Sequence, residues 1–104
     1  GSFVDVEIFC QDSSLASSYQ ALASSLRLRG IAAEVFPENK KIGQQYAVTD
    51  KKGIKWGILV NSTDVENGID ASNREIKKFT LKNLETREMF ADCTVEMAVK
   101  KILG

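Results

Sequence analysis

The sequence predicts a three-layer α/β/α fold, in which three helices flank a five-stranded mixed sheet with the chain order β-α-β-α-β-β-β-α. Strand-like and helix-like segments alternate as far as Val60, which implies parallel strands joined by right-handed crossovers. Beyond Asn61 the pattern changes to a strand, a turn, a short partner strand and a last helix. The 104 residues, 43% hydrophobic and 27% charged, are typical of one globular domain. We therefore expect one domain over residues 3–104, with Gly1–Ser2 a remnant of the expression vector.

Three parallel strands are predicted from runs of Val, Ile and Phe, at Phe3–Cys10, Ile31–Phe36 and Ile54–Val60. Gly57 is predicted to mark the close approach of a neighbouring element to the third strand. Trp56 lies in the same apolar pattern and is expected in the core, as is Tyr19 of the first helix.

The helices are predicted from apolar stripes and their end signals. The first follows the N-cap residues of Gln11–Ser14 and ends at Gly30, and its stripe is Leu15, Tyr19, Leu22 and Leu26. The second covers about residues 39–52, with a predicted inner face of Ile42, Tyr46 and Ala47. The last is capped by Asp92 or Thr94 and carries Val95, Ala98, Val99 and Ile102 on its buried stripe.

The remaining two strands form a predicted hairpin. Ile76–Leu84 alternates between apolar and polar residues, which is typical of a sheet-edge or hairpin strand. Its solvated face is expected to carry Lys78, Thr80 and Lys82. Residues 85–88 are the predicted turn, and residues 89–91 form the short partner strand.

The absence of histidine excludes several kinds of chemistry. Ser-His-Asp and Cys-His nucleophiles and ordinary zinc sites all need this residue, so we predict no catalytic residue and no metal site in this chain. Cys10 and Cys93 are expected to be buried, reduced thiols. The carboxylates Asp5, Glu7 and Asp12 are expected in solvated or capping roles.

Charge and motifs narrow the class of ligand. The formal net charge of zero excludes a strongly basic nucleic-acid module but leaves local basic patches open. The turn Cys10–Ser14 contains no glycine, which argues against a dinucleotide site. No apolar run approaches the roughly 18 residues that a membrane span needs.

Two polar clusters are candidate binding sites. Lys40, Lys41 and Gln44 surround the start of the second helix, where anions bind, although a merely solubilising patch is equally compatible. Lys82 and Asn83 could donate hydrogen bonds to an unstacked nucleic acid, and Glu66 could accept one from a base. The alternatives there are an ordinary solvated strand face and an Asn-Gly turn. We expect Lys41, Glu66 and Lys82 to meet at one rim of the sheet.

The motifs in order resemble the anticodon-binding domain of class IIa aminoacyl-tRNA synthetases, most closely the histidyl-tRNA synthetases. The resemblance is carried by Leu26–Val35 (LRLRGIAAEV), Lys41–Ile54 (KIGQQYAVTDKKGI), Glu66–Gly68 (ENG) and Lys82–Glu88 (KNLETRE). It extends from about Val6 to Leu103, and it implies the five-stranded sheet with three helices described above.

The resemblance also implies a function. The chain would dock the tRNA anticodon stem-loop for a histidine–tRNA ligase of the cytoplasm, without membrane contact. Its tRNA-binding residues would be Lys40, Lys41, Gln44, Glu66, Lys82 and Asn83. The catalytic domain, with its ATP and Mg, would lie upstream in a parent enzyme that forms a homodimer, and no cofactor would bind this fragment.

The sequence departs from the family pattern at several positions. The segment Asp70–Lys77 lengthens one connection, so the hairpin there is expected to protrude. Three single residues also differ from the pattern: Lys55 replaces a proline, Arg87 replaces a turn glycine and Gln11 replaces another glycine.

Two other functions are compatible with the sequence. A synthetase-like regulatory or dimerisation domain, of the stress-kinase or polymerase-accessory type, is one alternative. A doubly wound domain that binds an anionic metabolite is the other.

Overall fold

The computed structural model describes residues 3–66 and 74–104. Its strands are β1 (Val6–Ile8), β2 (Ala33–Val35), β3 (Trp56–Leu59), β4 (Val65–Glu66), β5 (Glu75–Ile76), β6 (Phe79–Asn83) and β7 (Met89–Cys93). Its helices are α1 (Ala16–Leu28), α2 (Ile42–Lys51) and α3 (Val95–Leu103). Five strands form one sheet in the order β2-β1-β3-β6-β7, in which β1 is parallel to β2 and β3, and the other pairs are antiparallel. The predicted mixed sheet with three helices is confirmed.

The two faces of the sheet are covered by different helices. Side chains alternate along β1, so Val6 and Ile8 point to one face and Glu7 and Phe9 to the other. The first face joins the hydrophobic core with α1 and α3. On the second face the Phe9 ring contacts Tyr46 of α2. The helices therefore form two outer layers, and α2 is the one helix of residues 3–66 and 74–104 that covers the second face.

The ends of α1 follow the predicted signals. The carboxylate of Asp12 accepts a hydrogen bond from the Ser14 N–H at 2.9 Å at the start of the preceding 3₁₀ turn, Ser13–Leu15. Gly30 has φ +88°, and the N–H of Ile31 returns to the Leu26 carbonyl, which closes the helix in a Schellman-type turn. The predicted core stripe of α1 is buried at all four positions, Leu15, Tyr19, Leu22 and Leu26.

The inner face of α2 differs from the prediction. The buried residues of this helix are Gln45 and Thr49, whereas Ala47 is exposed and Ile42 and Tyr46 are only partly buried. The prediction placed apolar residues inward, but the sheet beneath α2 presents the Glu7 carboxyl and the polar backbone at the end of β1. Gln45 finds hydrogen-bond partners in that backbone, at Cys10, whereas the Thr49 hydroxyl donates to the Gln45 carbonyl within α2.

The alternating segment after residue 75 is divided into two strands. β5 pairs with β4 in a separate antiparallel pair, while β6 lies between β3 and β7. The predicted hairpin is confirmed, because β6 pairs antiparallel with β7, but β7 and not β6 forms the edge of the sheet. Thr80, expected on a solvated face, is 8% exposed because this interior strand is flanked on both sides. Thr94 caps α3 by accepting from the Met97 N–H at 3.2 Å, and Asp92 belongs to β7 instead.

Some expectations fall outside the described residues. These are Gly1–Ser2, the Asn67-Gly68 turn, and residues 70–73 of the lengthened connection. The described end of that connection is anchored, because the Ser18 hydroxyl of α1 donates to the Arg74 carbonyl at 2.6 Å. Both cysteines are buried and free, as predicted. Within residues 3–66 and 74–104, none of the helices is long and apolar enough to cross a membrane.

Candidate nucleic-acid interface

The start of α2 forms a small cationic cavity. Its volume is about 350 Å³, and it is lined by Gln11, Asn39, Lys40, Lys41 and Ile42. Lys41 occupies the N-cap position, and its side chain makes no capping hydrogen bond. The first N–H groups of a helix have no intrahelical partner, and they carry the positive end of its dipole. Lysine side chains and backbone donors therefore converge on one solvent-facing site that suits an anion.

A second cavity lies between α2 and β6. Its volume is about 330 Å³, and we call it the α2–β6 cleft, lined by Gly43, Tyr46, Ala47, Asp50, Lys82, Leu84 and Arg87. The four residues from α2 are spaced three, one and three apart, so they lie on one helix face. The cleft thus combines two cations, one carboxylate and one aromatic ring.

The aromatic floor of the cleft orders one of its cations. The Lys82 ammonium lies 4.7 Å from the centroid of the Tyr46 ring, within the range of a cation–π contact. The opposite contact of Tyr46 is with Phe9, at a centroid distance of 4.7 Å and an interplanar angle of 52°. Gly57 makes room for this stack, because a Cβ atom at its position would lie 2.5 Å from Phe9 Cε2. The close approach predicted at Gly57 is confirmed.

The hairpin turn supplies the other cation. The amide oxygen of Asn83 accepts hydrogen bonds from the N–H groups of Glu85 and Thr86, at 2.9 and 3.1 Å. Arg87 then adopts φ +68°, in the left-handed region that favours the glycine of the family pattern. In this conformation Arg87 lines the cleft. The oxygen of Asn83 is therefore committed to the turn, and only its amide nitrogen is left for a ligand.

The predicted site residues do not share a single rim. Lys40 and Lys41 line one cavity and Lys82 lines the other. The two cavities share no residue, but the consecutive residues Ile42 and Gly43 of α2 line one each. Asn83 pairs with Trp56 at the amino end of β3, whereas α2 begins near the carboxyl end of β1. Because β1 and β3 are parallel, Asn83 and the start of α2 lie toward opposite ends of the sheet.

Gln44 and Glu66 complete the predicted set. Gln44 is exposed on α2 and lines neither cavity. Glu66 ends β4, and the prediction for its side chain lies outside what the structure describes. The arrangement is therefore a surface along one helix, with the cationic cavity at its start and the cleft beside it.

Sequence reasoning missed three contributors to the cleft: Tyr46, Asp50 and Arg87. The spacing of Gly43, Tyr46, Ala47 and Asp50 was available as a signal, since it defines one helix face. No such signal existed for Arg87, because the register of the hairpin turn decides where its side chain points.

A buried carboxyl lies beneath α2, against expectation. Glu7 is 1% exposed, and neither of its oxygens receives a hydrogen bond from a donor in the described part of the chain. Burial, and then the adjacent Glu34 carboxyl, raises the pKa of Glu7 to about 8. Burial opposes ionisation of Glu34 as well, but Glu7 and Lys52 hold the pKa of that carboxyl below its usual value. The prediction that Glu7 is solvated or caps an element is wrong, because a central strand places it under a helix.

Metal ligands are not gathered in the described ranges. Across residues 3–66 and 74–104, no three Cys, Asp or Glu side chains come close enough to hold an ion. The polar surface along α2 instead offers donors and cations, which suit phosphates and base edges.

The sequence and fold agree on the class of this domain. A family model of the anticodon binding domain matches residues 5–104, and the chain belongs to that family. Among its relatives, the histidine–tRNA ligase of Treponema pallidum is 53% identical over 58 residues, which are 56% of this chain and 13% of that protein. The histidine–tRNA ligase of Treponema denticola is 32% identical over 103 residues, or 97% of this chain and 22% of that protein.

A solved structure shares the fold. Histidyl-tRNA synthetase from Nostoc sp. PCC 7120 matches with a TM-score of 0.78 and 20% identity, over 96% of this chain and 22% of that one. The resemblance to the histidyl class of anticodon-binding domains is thus confirmed. The matched segments cover between 13% and 22% of the length of these three proteins.

Proposed function

We propose that this chain is the anticodon-binding domain of a histidine–tRNA ligase and that it binds the anticodon stem-loop along α2. The observation that carries the proposal is that α2 lines both the cationic cavity and the α2–β6 cleft, through the consecutive residues Ile42 and Gly43. An unpaired RNA loop presents phosphates and splayed bases next to each other, so it needs two such sites side by side.

The phosphate contacts are assigned to the start of α2. Lys40 and Lys41 are exposed there, and the helix start has no side-chain cap. Lys40 also pairs with Glu38 at 3.5 Å, but both side chains are about half exposed or more, and such a pair is worth little. A phosphate can therefore replace Glu38 at small cost.

The base contacts are assigned to the cleft. Lys82 and Arg87 donate to acceptor edges or phosphates, and Asp50 accepts from an exocyclic amino group. Tyr46 holds the Lys82 ammonium over its ring and so fixes the donor before RNA arrives. Gln44, Glu66 and the amide nitrogen of Asn83 stay in the proposal as further contacts.

The rest of the enzyme is part of the same proposal. The relatives are several times longer than this chain, which supports a parent enzyme with a separate catalytic domain. That domain would bind ATP and Mg²⁺, and the parent enzyme would be a homodimer. The cytoplasmic location stays a prediction. The alternative of a regulatory or dimerisation domain has no support from the relatives, which are named as ligases.

The test is fluorescence anisotropy with a labelled anticodon stem-loop of a histidine tRNA. Lys41→Glu and Lys82→Glu should each weaken binding by about tenfold, and the affinity should fall steeply with salt. Lys100→Glu is the matched control, because this exposed lysine lies on α3 across the sheet. If Lys41→Glu and Lys82→Glu bind as well as Lys100→Glu does, the assignment to α2 is wrong.

Two further ligands separate the remaining functions. A stem-loop with another anticodon should bind more weakly, because base contacts carry the specificity. Free nucleotides should bind far more weakly than either RNA. If a free nucleotide binds as tightly as the stem-loop, the domain is a binder of anionic metabolites instead.

A further inference from the structure

Gln45 is fully buried between α2 and the end of β1, although glutamine is ordinarily a surface residue. Its side-chain oxygen accepts from the Cys10 N–H at 2.9 Å. Its side-chain nitrogen donates to the carbonyl of Cys10 at 2.6 Å and to that of Lys40 at 2.7 Å. One amide therefore connects a strand end to the loop that precedes α2.

The contact with Cys10 replaces a strand partner. The regular pairing of β1 ends near Phe9, whose N–H bonds to the Ile58 carbonyl. Cys10 follows and is 7% exposed, so its backbone groups need partners other than water. A glutamine amide offers the same donor and acceptor as a peptide group and can satisfy both at once.

The contact with Lys40 has a different consequence. Among the described residues, it is the one side-chain hydrogen bond that ties residues 38–41 to the sheet, since Lys40 otherwise contacts Glu38 within the loop. The same loop carries both lysines of the cationic cavity. Its position relative to the first N–H groups of α2 therefore depends on Gln45.

We propose that Gln45 is a positioning residue for RNA binding, which sets Lys40, Lys41 and the open start of α2 in the geometry that receives a phosphate. This inference rests on the proposed function. Gln45 itself is fully buried, so it has no exposed surface to offer the RNA. Its effect passes through the Lys40 carbonyl to the two lysine side chains.

The test compares Gln45→Met with Thr49→Val. Methionine keeps the length of the side chain and removes its amide. Thr49 is buried one turn further along the same face, and its hydroxyl donates to the Gln45 carbonyl at 2.8 Å, without any contact to the loop. Both variants should lower the melting temperature. Only Gln45→Met should weaken stem-loop binding, by about tenfold. The logarithm of its binding constant should also fall less steeply with the logarithm of the salt concentration, by about 0.7 in slope for each phosphate that the site no longer neutralises.

A second variant covers the case in which Gln45→Met does not fold. Gln45→Asn keeps a polar amide in the pocket but is one methylene shorter, so it cannot reach Cys10 and Lys40 together. Weaker RNA binding by folded Gln45→Asn supports the positioning role. RNA affinity and salt slope equal to those of the unmodified protein overturn it.

Lys41→Glu, measured in the same assay, separates the two proposals. If Lys41→Glu leaves RNA binding unchanged, the proposed phosphate site is wrong, and the positioning role of Gln45 is then wrong as well. If Lys41→Glu weakens binding while the folded Gln45 variants bind normally, the positioning role alone is wrong.

Discussion

The side chains of Glu7 and Glu34 lie side by side on adjacent parallel strands, beneath the end of α2. Their Cα atoms are register partners between β1 and β2. Lys52, which follows α2, reaches the Glu34 carboxylate at 3.1 Å. Glu7 has no donor in the described part of the chain, and its pKa is raised to about 8 by burial and by Glu34. We infer that Glu7 keeps its proton at neutral pH and shares it with Glu34. The pair carries one negative charge, which Lys52 balances.

This shared proton predicts that the domain loses stability as the pH rises. The folded pKa of Glu7, about 8, lies above its ordinary value of 4.5, so the folded state holds a proton that the unfolded state releases. The contribution of this proton to the free energy of unfolding is complete below about pH 4.5 and is lost progressively up to about pH 8. Urea unfolding at pH 5, 7 and 8.5 measures the loss directly.

Glu7→Gln identifies the group responsible. A glutamine can donate to Glu34 at every pH, so its free energy of unfolding should change less between pH 5 and 8.5. At pH 8.5 the free energy of unfolding of Glu7→Gln should exceed that of the unmodified protein by more than about 1 kcal/mol, since one pKa unit corresponds to about 1.4 kcal/mol. Glu96→Gln on exposed α3 is the control and should keep the original pH dependence. Parallel curves for Glu7→Gln and the unmodified protein would refute the shared proton.

Gly57→Ala tests the stack beneath the cleft. The new methyl group would lie 2.5 Å from Phe9 Cε2 and 3.3 Å from Leu84 Cδ2, so the ring must move. Overpacking of this kind costs about 1–3 kcal/mol. Because Phe9 contacts the Tyr46 ring, we also expect the NMR shifts of that ring to change.

The matched substitution is Gly43→Ala. Gly43 lies in α2, and a Cβ atom there would meet nothing within 4 Å. Alanine in a helix should stabilise the domain by about 0.5–1 kcal/mol. Equal effects of the two substitutions on the melting temperature would show that Gly57 is not in close contact with Phe9.

The apolar pattern was sufficient to predict most of this architecture. The stripe of α1, its glycine stop and the Thr94 cap depend on neighbours within a few residues, so they can be recognised from spacing alone. The family motifs implied the same five-stranded sheet with three helices. The cationic start of α2 was predictable for the same local reason.

The inward face of α2 and the cleft were not predictable in this way. Gln45 and Glu7 are buried because the chain places a helix over the end of β1, and no local pattern indicates that contact. Thr80 was misplaced because the alternation of a strand does not show whether a further strand lies beyond it. Asn83 was expected to contact RNA, but the adjacent turn uses its oxygen. Long-range packing decided each of these cases.

Arg87→Gly should increase stability and weaken RNA binding. Arg87 has φ +68°, a conformation that costs a residue with a side chain roughly 1–2 kcal/mol and glycine almost nothing. Glycine also makes the unfolded chain more flexible, so we expect a net gain of about 0.5–1 kcal/mol. The same change removes a cation from the cleft, so stem-loop affinity should fall several-fold.

Two controls separate the strain at Arg87 from its charge. Arg87→Lys keeps the charge and the strained backbone, so its melting temperature should stay close to that of the unmodified protein, with most of the RNA affinity retained. Asp92→Gly relieves the other positive φ among the described non-glycine residues, +51°, on the edge strand β7. Its ion pair with Lys78 is exposed and worth little, so Asp92→Gly should gain stability with no change in RNA affinity. If Arg87→Gly binds RNA as well as Asp92→Gly does, Arg87 has no part in the interface, and its strained conformation serves only the hairpin turn.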